Sequence, residues 1–363
     1  MNILPLAVDI ASVWNKVWPI LMAILFFGLI IGIHELGHFL SAKLFGVKVN
    51  EFSLGMGPAI FKKQKGETKY ALRILPIGGF VSMEGEDETS EDERAFCNKK
   101  WWKKFIIVAA GAIMNLVLGF IFVVILTSMD DLIGTTQIHS FYDNATSSQY
   151  GLEVGDTIKE INGTNIYSSR DISYALQRDE DGIYDFIVER NGEKTELKDV
   201  RFETKPAENG HNIIIYDFII VGVEKTPLNV LSTAVMDTVS TARLVWLTLF
   251  DLVTGRYGIN DLSGPVGTVS IIANVTSEAV ASGAGFDMII YIMALISINV
   301  GVFNILPVPA LDGGRLFFIL IEAIRRKPIP AKYEGYIHAA GLALLMLLMV
   351  IITFNDIKNL IIN

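Results

Sequence analysis

His34-Glu35-Leu36-Gly37-His38 sets two imidazoles four residues apart with a carboxylate between them. On a helix, residues four apart share one face, so both imidazoles reach a single metal ion. Glu35 is rotated by about 100° from His34, near enough to take a proton from water activated there. The chemistry this permits is metal-assisted hydrolysis, in which zinc draws the pKa of water toward roughly 7. A short motif of this kind also arises by chance in soluble proteins. Here it closes an apolar stretch, where a glutamate and two histidines are costly unless paired or coordinated.

A catalytic zinc site takes three protein ligands and keeps one position open. Cys97 is the only cysteine, which excludes thiolate zinc sites and a disulfide framework. Asp312 is the expected third ligand, in Asn304-Ile305-Leu306-Pro307-Val308-Pro309-Ala310-Leu311-Asp312-Gly313-Gly314. Pro307 and Pro309 break the apolar run before it, and Gly313-Gly314 lets the backbone bend sharply. Broken backbone at membrane depth is tolerated only where protein or a water-filled cavity surrounds it. Asp312 also suits the N-cap of a helix starting near Arg315, and the two roles are compatible. His139 and His211 fall in a polar stretch expected across the membrane from the motif, and His338 is a weaker rival to Asp312. Asn299 and Asn304 are candidates to bind a substrate backbone or to hold a zinc ligand in place, against the common role of Asn as glue between membrane helices. Asn115 reads as packing.

Tyr70 to Val81 is apolar, too short to span, and rich in β-formers around Pro76-Ile77-Gly78-Gly79. This predicts a hairpin dipping into the membrane beside the site. Its exposed edge, with Leu72, Ile74, Gly78 and Gly79, is a candidate for binding an extended substrate by strand addition. That would meet a physical need, because a helical substrate must unwind before its carbonyls can be attacked. An ordinary buried hairpin is the plainer alternative.

Those groups need elements to position them. Half of the 363 residues are hydrophobic and mean hydropathy is +0.44, as expected of a chain partly dissolved in lipid. A net charge of −9 and the lack of a basic stripe argue against a nucleic-acid partner. Four segments reach the roughly 20 apolar residues needed to cross a bilayer: 18–44, 105–129, 286–306 and 336–354. The first is read as retained, since only Lys16 precedes it and it runs straight into the motif. Lys and Arg cluster between the first two spans and between the last two, which predicts that both loops, and the motifs beside them, are cytoplasmic. The polar stretch 130–227 would then lie outside, with strands at 156–161 and 184–189, turns at Asn162-Gly163 and Asn191-Gly192, and a helix over 168–178. Residues 228–252 read as an amphipathic helix on the outer surface or on the outer domain, and 260–267 as a glycine-proline turn.

Together these predict a four-span helical membrane protein with a membrane-dipping hairpin and an inserted α+β domain. The boundaries are 1–129 for two spans, the metal motif and the hairpin, 130–205 for the inserted domain, 206–285 for a strand, amphipathic helix and linker, and 286–363 for the last two spans. A structural-metal scaffold is disfavoured by Glu35, which such a site does not need. A transporter is disfavoured by the lack of repeated halves.

The two metal motifs, Gly78-Gly79-Phe80-Val81, Leu262 to Gly267 and Phe354-Asn355-Asp356 resemble those of the site-2 proteases, intramembrane zinc metalloproteases of the bacterial RseP/RasP type. Tyr150 to Gly163 is similar to a PDZ domain of the bacterial protease kind, and the likeness covers essentially the whole chain. The resemblance implies Zn²⁺ held by His34, His38 and Asp312, with Glu35 as base and Asn304 handling substrate. It implies regulated intramembrane proteolysis in the bacterial inner or plasma membrane, acting on single-span proteins such as anti-sigma factors and on signal-peptide remnants. The PDZ-like domain would be extracytoplasmic and act as a size filter. Some relatives carry two such domains in tandem and this chain has one, so their filter does not transfer directly.

Overall fold

The computed structural model describes residues 10–86, 88–179, 181–206, 212–255, 264, 266–272, 286–327 and 329–362. The chain divides into two compact units, one of residues 1–122 and 245–363, the other of residues 123–244.

In the first unit, helix α1 (Ile10–Leu44) leads into strands β1 (Val49–Lys65) and β2 (Thr68–Met83), and then into α2 (Trp101–Met129). Past the second unit, α6 (Phe286–Ile305), α7 (Asp312–Arg325) and α8 (Ala331–Ile362) complete it. Four helices are long and apolar enough to cross a membrane, over Ile20–Leu44, Trp101–Met129, Phe286–Ile305 and Lys332–Lys358. These are the four expected spans, and together with the β-rich second unit they make a polytopic membrane protein with an inserted β domain. Ala42, Val49, Val81, Ile107, Leu316 and Ile319 form one buried cluster. It draws the end of α1, the sheet, the start of α2 and the first turns of α7 to one place. Lys104 on α2 and Glu322 on α7 add an ion pair of 2.8 Å.

The sheet differs from the expected hairpin. The tight turn is at Gly66, with φ of +61°, not at Pro76–Gly79. Residues 59–65 pair antiparallel with 68–73, as in Lys62 with Ala71 and Lys63 with Tyr70. Residues 51–54 lie between two segments, Leu54 pairing with Leu72 on one side and with Gly79 on the other. The Pro76–Gly79 stretch therefore carries the chain around residues 51–54. Proline and glycine serve this crossing because residues 76–78, before Gly79 joins the ladder, have no strand partner. Met56, Ile60, Phe61, Leu72, Ile74 and Leu75 are all at least half exposed, an apolar surface suited to lipid.

The second unit is built on a sheet in the order β10-β3-β4-β6-β7, with β5 paired to β4. Its strands are β3 (Leu132–Phe141), β4 (Thr157–Ile161), β5 (Thr164–Asn165), β6 (Ile183–Arg190), β7 (Glu193–Arg201) and β10 (Phe218–Glu224), while β8 (Thr204–Pro206) and β9 (Asn212–Ile214) pair separately. The expected turns at Asn162-Gly163 and Asn191-Gly192 are present, all four residues at positive φ, the mark of tight hairpin turns. Ile158, Ile161, Leu176, Tyr184, Phe186 and Val188 are fully enclosed, each burial worth roughly 1.5–3 kcal/mol. Between β3 and β4 lies the single turn α3 (Thr146–Gln149), and α4 (Ser169–Gln177) follows β5. Helix α5 (Pro227–Val253) covers the predicted amphipathic stretch. Some of its polar residues face inward: Arg243 meets the buried Asp171 at 3.0 Å and Asp237 meets Arg170 at 3.2 Å. Leu231, Val235 and Val239 are left exposed.

His211 and most of the glycine-proline turn at 260–267 lie outside the described residues. Gly264 and the helical stretch 266–272 are described, and buried Asp356 of α8 accepts the backbone N–H of Gly267 at 2.8 Å.

Candidate metal centre

His34 and His38 stand one turn apart near the end of α1, and Asp312 opens α7, directly after the break that follows α6. The break arises where the sequence places it: α6 stops at Ile305, before Pro307, and helical backbone resumes at Asp312. Asp312 Oδ2 is 3.1 Å from His34 Nε2 and 3.2 Å from His38 Nε2, and the two Nε2 atoms are 3.2 Å apart. The nearly equal spacing suits one tetrahedral ion, for bonds of about 2.0–2.1 Å place ligand atoms about 3.3 Å apart.

The donor set fits a cation for a second reason. His38 Nδ1 lies 2.9 Å from the backbone carbonyl oxygen of Ile107, which can only accept, so Nδ1 carries the proton. In the neutral ring Nε2 is then a bare lone pair aimed at Asp312 and His34. Asp312 Oδ2 is itself buried without a hydrogen-bond partner. Converging lone pairs repel one another unless a positive charge lies among them.

Asn115 on α2 completes the surroundings. It is fully buried, with Nδ2 3.3 Å from His34 Nδ1 and with Oδ1 partnerless. Exchanging amide nitrogen and oxygen, which keeps every atom position, lets Oδ1 accept from His34 Nδ1–H and leaves Nε2 of that ring for a metal. Packing alone is thus an incomplete account of Asn115. The available signal was its spacing from Gly111, four residues earlier on the same face of α2. A Cβ on Gly111 would collide with His38 and come within 2.8 Å of His34 Cε1. Only glycine lets α2 approach both rings this closely.

A cavity of about 170 Å³ opens onto these groups, lined by His34, Glu35, His38, Phe80, Asp312 and Arg315 among others. Glu35 therefore lines the same cavity as the two imidazoles. Val81 and Met83 also line it, so the 80–83 segment of β2 forms one side. Arg315, one turn beyond Asp312, pairs with Glu86 just after β2 and ties α7 to that segment. Of the other sequence candidates, Gly79 packs against Glu35, where an added Cβ would meet Glu35 Cγ at 3.0 Å. Gly79 itself, Asn299, Asn304, Leu72, Ile74 and Gly78 are not among the residues that line this cavity. Leu72 lies in a segment paired on both sides, so the sheet's outer edge beside the cavity is 79–83. Among the described residues, those whose donor atoms converge closely enough to hold one metal ion are His34, His38 and Asp312, without His338.

Comparison with known proteins agrees with this chemistry. Residues 22–348 match peptidase family M50. A protein of Clostridium acetobutylicum assigned to the zinc metalloproteases is 36% identical, over 93% of this chain and 97% of its own. The regulator of sigma-W protease RasP of Bacillus subtilis is 31% identical over 93% of this chain and 97% of its own. The zinc metalloprotease RasP of Bacillus licheniformis is 30% identical over 93% and 98%. The chain belongs to peptidase family M50, the site-2 proteases, and is a zinc metalloprotease.

Proposed function

We propose that the chain is an intramembrane endopeptidase that hydrolyses a peptide bond of single-span membrane proteins, with zinc held by His34, His38 and Asp312. The observation that carries this reading is the convergence of three lone-pair-bearing atoms at a helix break, with Glu35 on the wall of the same cavity. Zinc bound there supplies Lewis acidity, polarising the scissile carbonyl and acidifying water toward a pKa of about 7. The chain's own residues do the rest. Glu35 takes the proton of the attacking water and passes it to the leaving amide nitrogen. Ile107 and Asn115 hold the imidazoles with their lone pairs facing inward.

The substrate must be extended at the cut, because helical carbonyls are occupied by hydrogen bonds. The outer segment 79–83 offers a strand edge beside the cavity, and Gly78 and Gly79 let a second backbone come close. Exposed Leu72 and Ile74 meet lipid or substrate side chains. Asn299 and Asn304, on the last two turns of α6 before the break, are the polar groups we assign to binding an unwound substrate backbone.

The bacterial relatives favour a plasma-membrane enzyme, and the clusters of Lys and Arg in the loops favour an active site toward the cytoplasm with the second unit, PDZ-like, outside. The sigma-W regulator among the relatives favours trimmed anti-sigma factors as substrates, with signal-peptide remnants as a second class. Glu35→Gln is the direct test. The variant is expected to keep one zinc per chain and to lose cleavage of a single-span substrate by about 10²–10⁴-fold; turnover at the wild-type rate would reject the mechanism.

A further inference from the structure

We propose that His338, on α8, is a positioning residue for Asp312: its imidazole fixes the turn that carries this carboxylate to the metal centre. The proposal rests on the reading of Asp312 as a zinc ligand. Ala310, two residues before Asp312, has φ of +75°, a left-handed conformation unfavourable for any residue bearing a Cβ. Such a conformation persists only where its surroundings hold it. The backbone N–H of Ala310 donates to His338 Nδ1 at 2.9 Å. An N–H can only donate, so Nδ1 must be unprotonated and the ring's proton must sit on Nε2, the atom 3.8 Å from Glu334.

The rest of α8 holds the same turn. One turn on from His338, a Cβ on Gly341 would lie within 2.9 Å of the Pro309 carbonyl, so glycine there lets the helix press against the proline. The His338 ring packs against Phe318 of α7, with centroids 5.7 Å apart. Within the turn, Leu311 N–H donates to Val308 at 3.2 Å and Gly314 N–H to Leu311 at 3.0 Å. A rotation at Ala310 would therefore swing Leu311 and Asp312 together, moving Oδ2 away from the two imidazoles. The hydrogen bond from Ala310 crosses from the turn to a different span, so it sets where the carboxylate stands.

The test measures zinc release from the purified full-length protein to a chelator, alongside zinc stoichiometry. Asn carries an oxygen close to the place of Nδ1, whereas Gln carries one close to Nε2. His338→Ala and His338→Gln are expected to release zinc about ten-fold faster or more, and His338→Asn to stay within about three-fold of wild type. Ala310→Gly, which removes the backbone penalty, is expected to shrink the effect of His338→Ala. Zinc release from His338→Gln at the wild-type rate, or from His338→Asn as fast as from His338→Ala, would overturn the proposal. Asp312→Asn separates the two claims. If it releases zinc like wild type, Asp312 is no ligand and the reading beneath falls. If it releases zinc fast while Asn and Gln at 338 behave alike, only the role of His338 falls.

Discussion

His38 donates from Nδ1 to the backbone carbonyl of Ile107, 2.9 Å away on the next span. A helix that contributes nothing to the proposed ligand set thus dictates which ring nitrogen is free to face a metal. That contact needs α2 close to α1, and Gly111 permits it. Gly111→Ala is therefore expected to lower zinc occupancy by at least about ten-fold while the helical circular dichroism of the spans is retained. Full occupancy in this variant would mean the two helices are free to separate.

Asp312→Asn keeps the shape of the side chain but halves its acceptor capacity and removes the charge. Zinc per chain, measured after gel filtration, is expected to fall well below one. An unchanged stoichiometry would remove Asp312 from the ligand set, since His34 and His38 alone leave a catalytic site one ligand short.

Asn115 separates orientation from packing. Asn115→Leu preserves volume and removes the polar partner of His34, so zinc affinity is expected to drop about 10–100-fold. Asn115→Asp retains an acceptor and is expected to restore most of it. Equal affinities in the two variants would assign Asn115 to packing alone.

Phe80 lines the cavity on the outer segment of β2 and is 38% exposed, with the Arg73 guanidinium 5.1 Å from its ring centroid. Phe80→Ala is expected to raise KM for a membrane substrate several-fold, with zinc content unchanged and kcat reduced less. A loss of metal in this variant would show that the ring supports the centre and not the substrate.

Much of the site was legible along the chain because its signals are local. The i, i+4 spacing of His34 and His38 needs only a helix, and the apolar run before them predicts one. Pro307 and Pro309 cannot donate in a helix, so the break before Asp312 follows from covalent chemistry. The turns at Asn162-Gly163 and Asn191-Gly192 follow from the tolerance of those residues for positive φ.

What remained hidden depends on contacts between residues far apart in sequence. Asn115 and His338 are polar residues in apolar helices, and nothing in their neighbours tells a partner of the proposed ligands from ordinary interhelical glue. The sheet was misread at Pro76–Gly79 because proline and glycine mark a change of direction equally well for a hairpin turn and for a strand crossing. Sequence alone determined the donor types, their spacing on α1 and the break that frees Asp312, since these are properties of short stretches of backbone. Only the tertiary structure decided which atoms hold those donors in place. A hydrogen bond such as that from Ala310 to His338 is a matter of position in space, and separation along the chain carries no record of it.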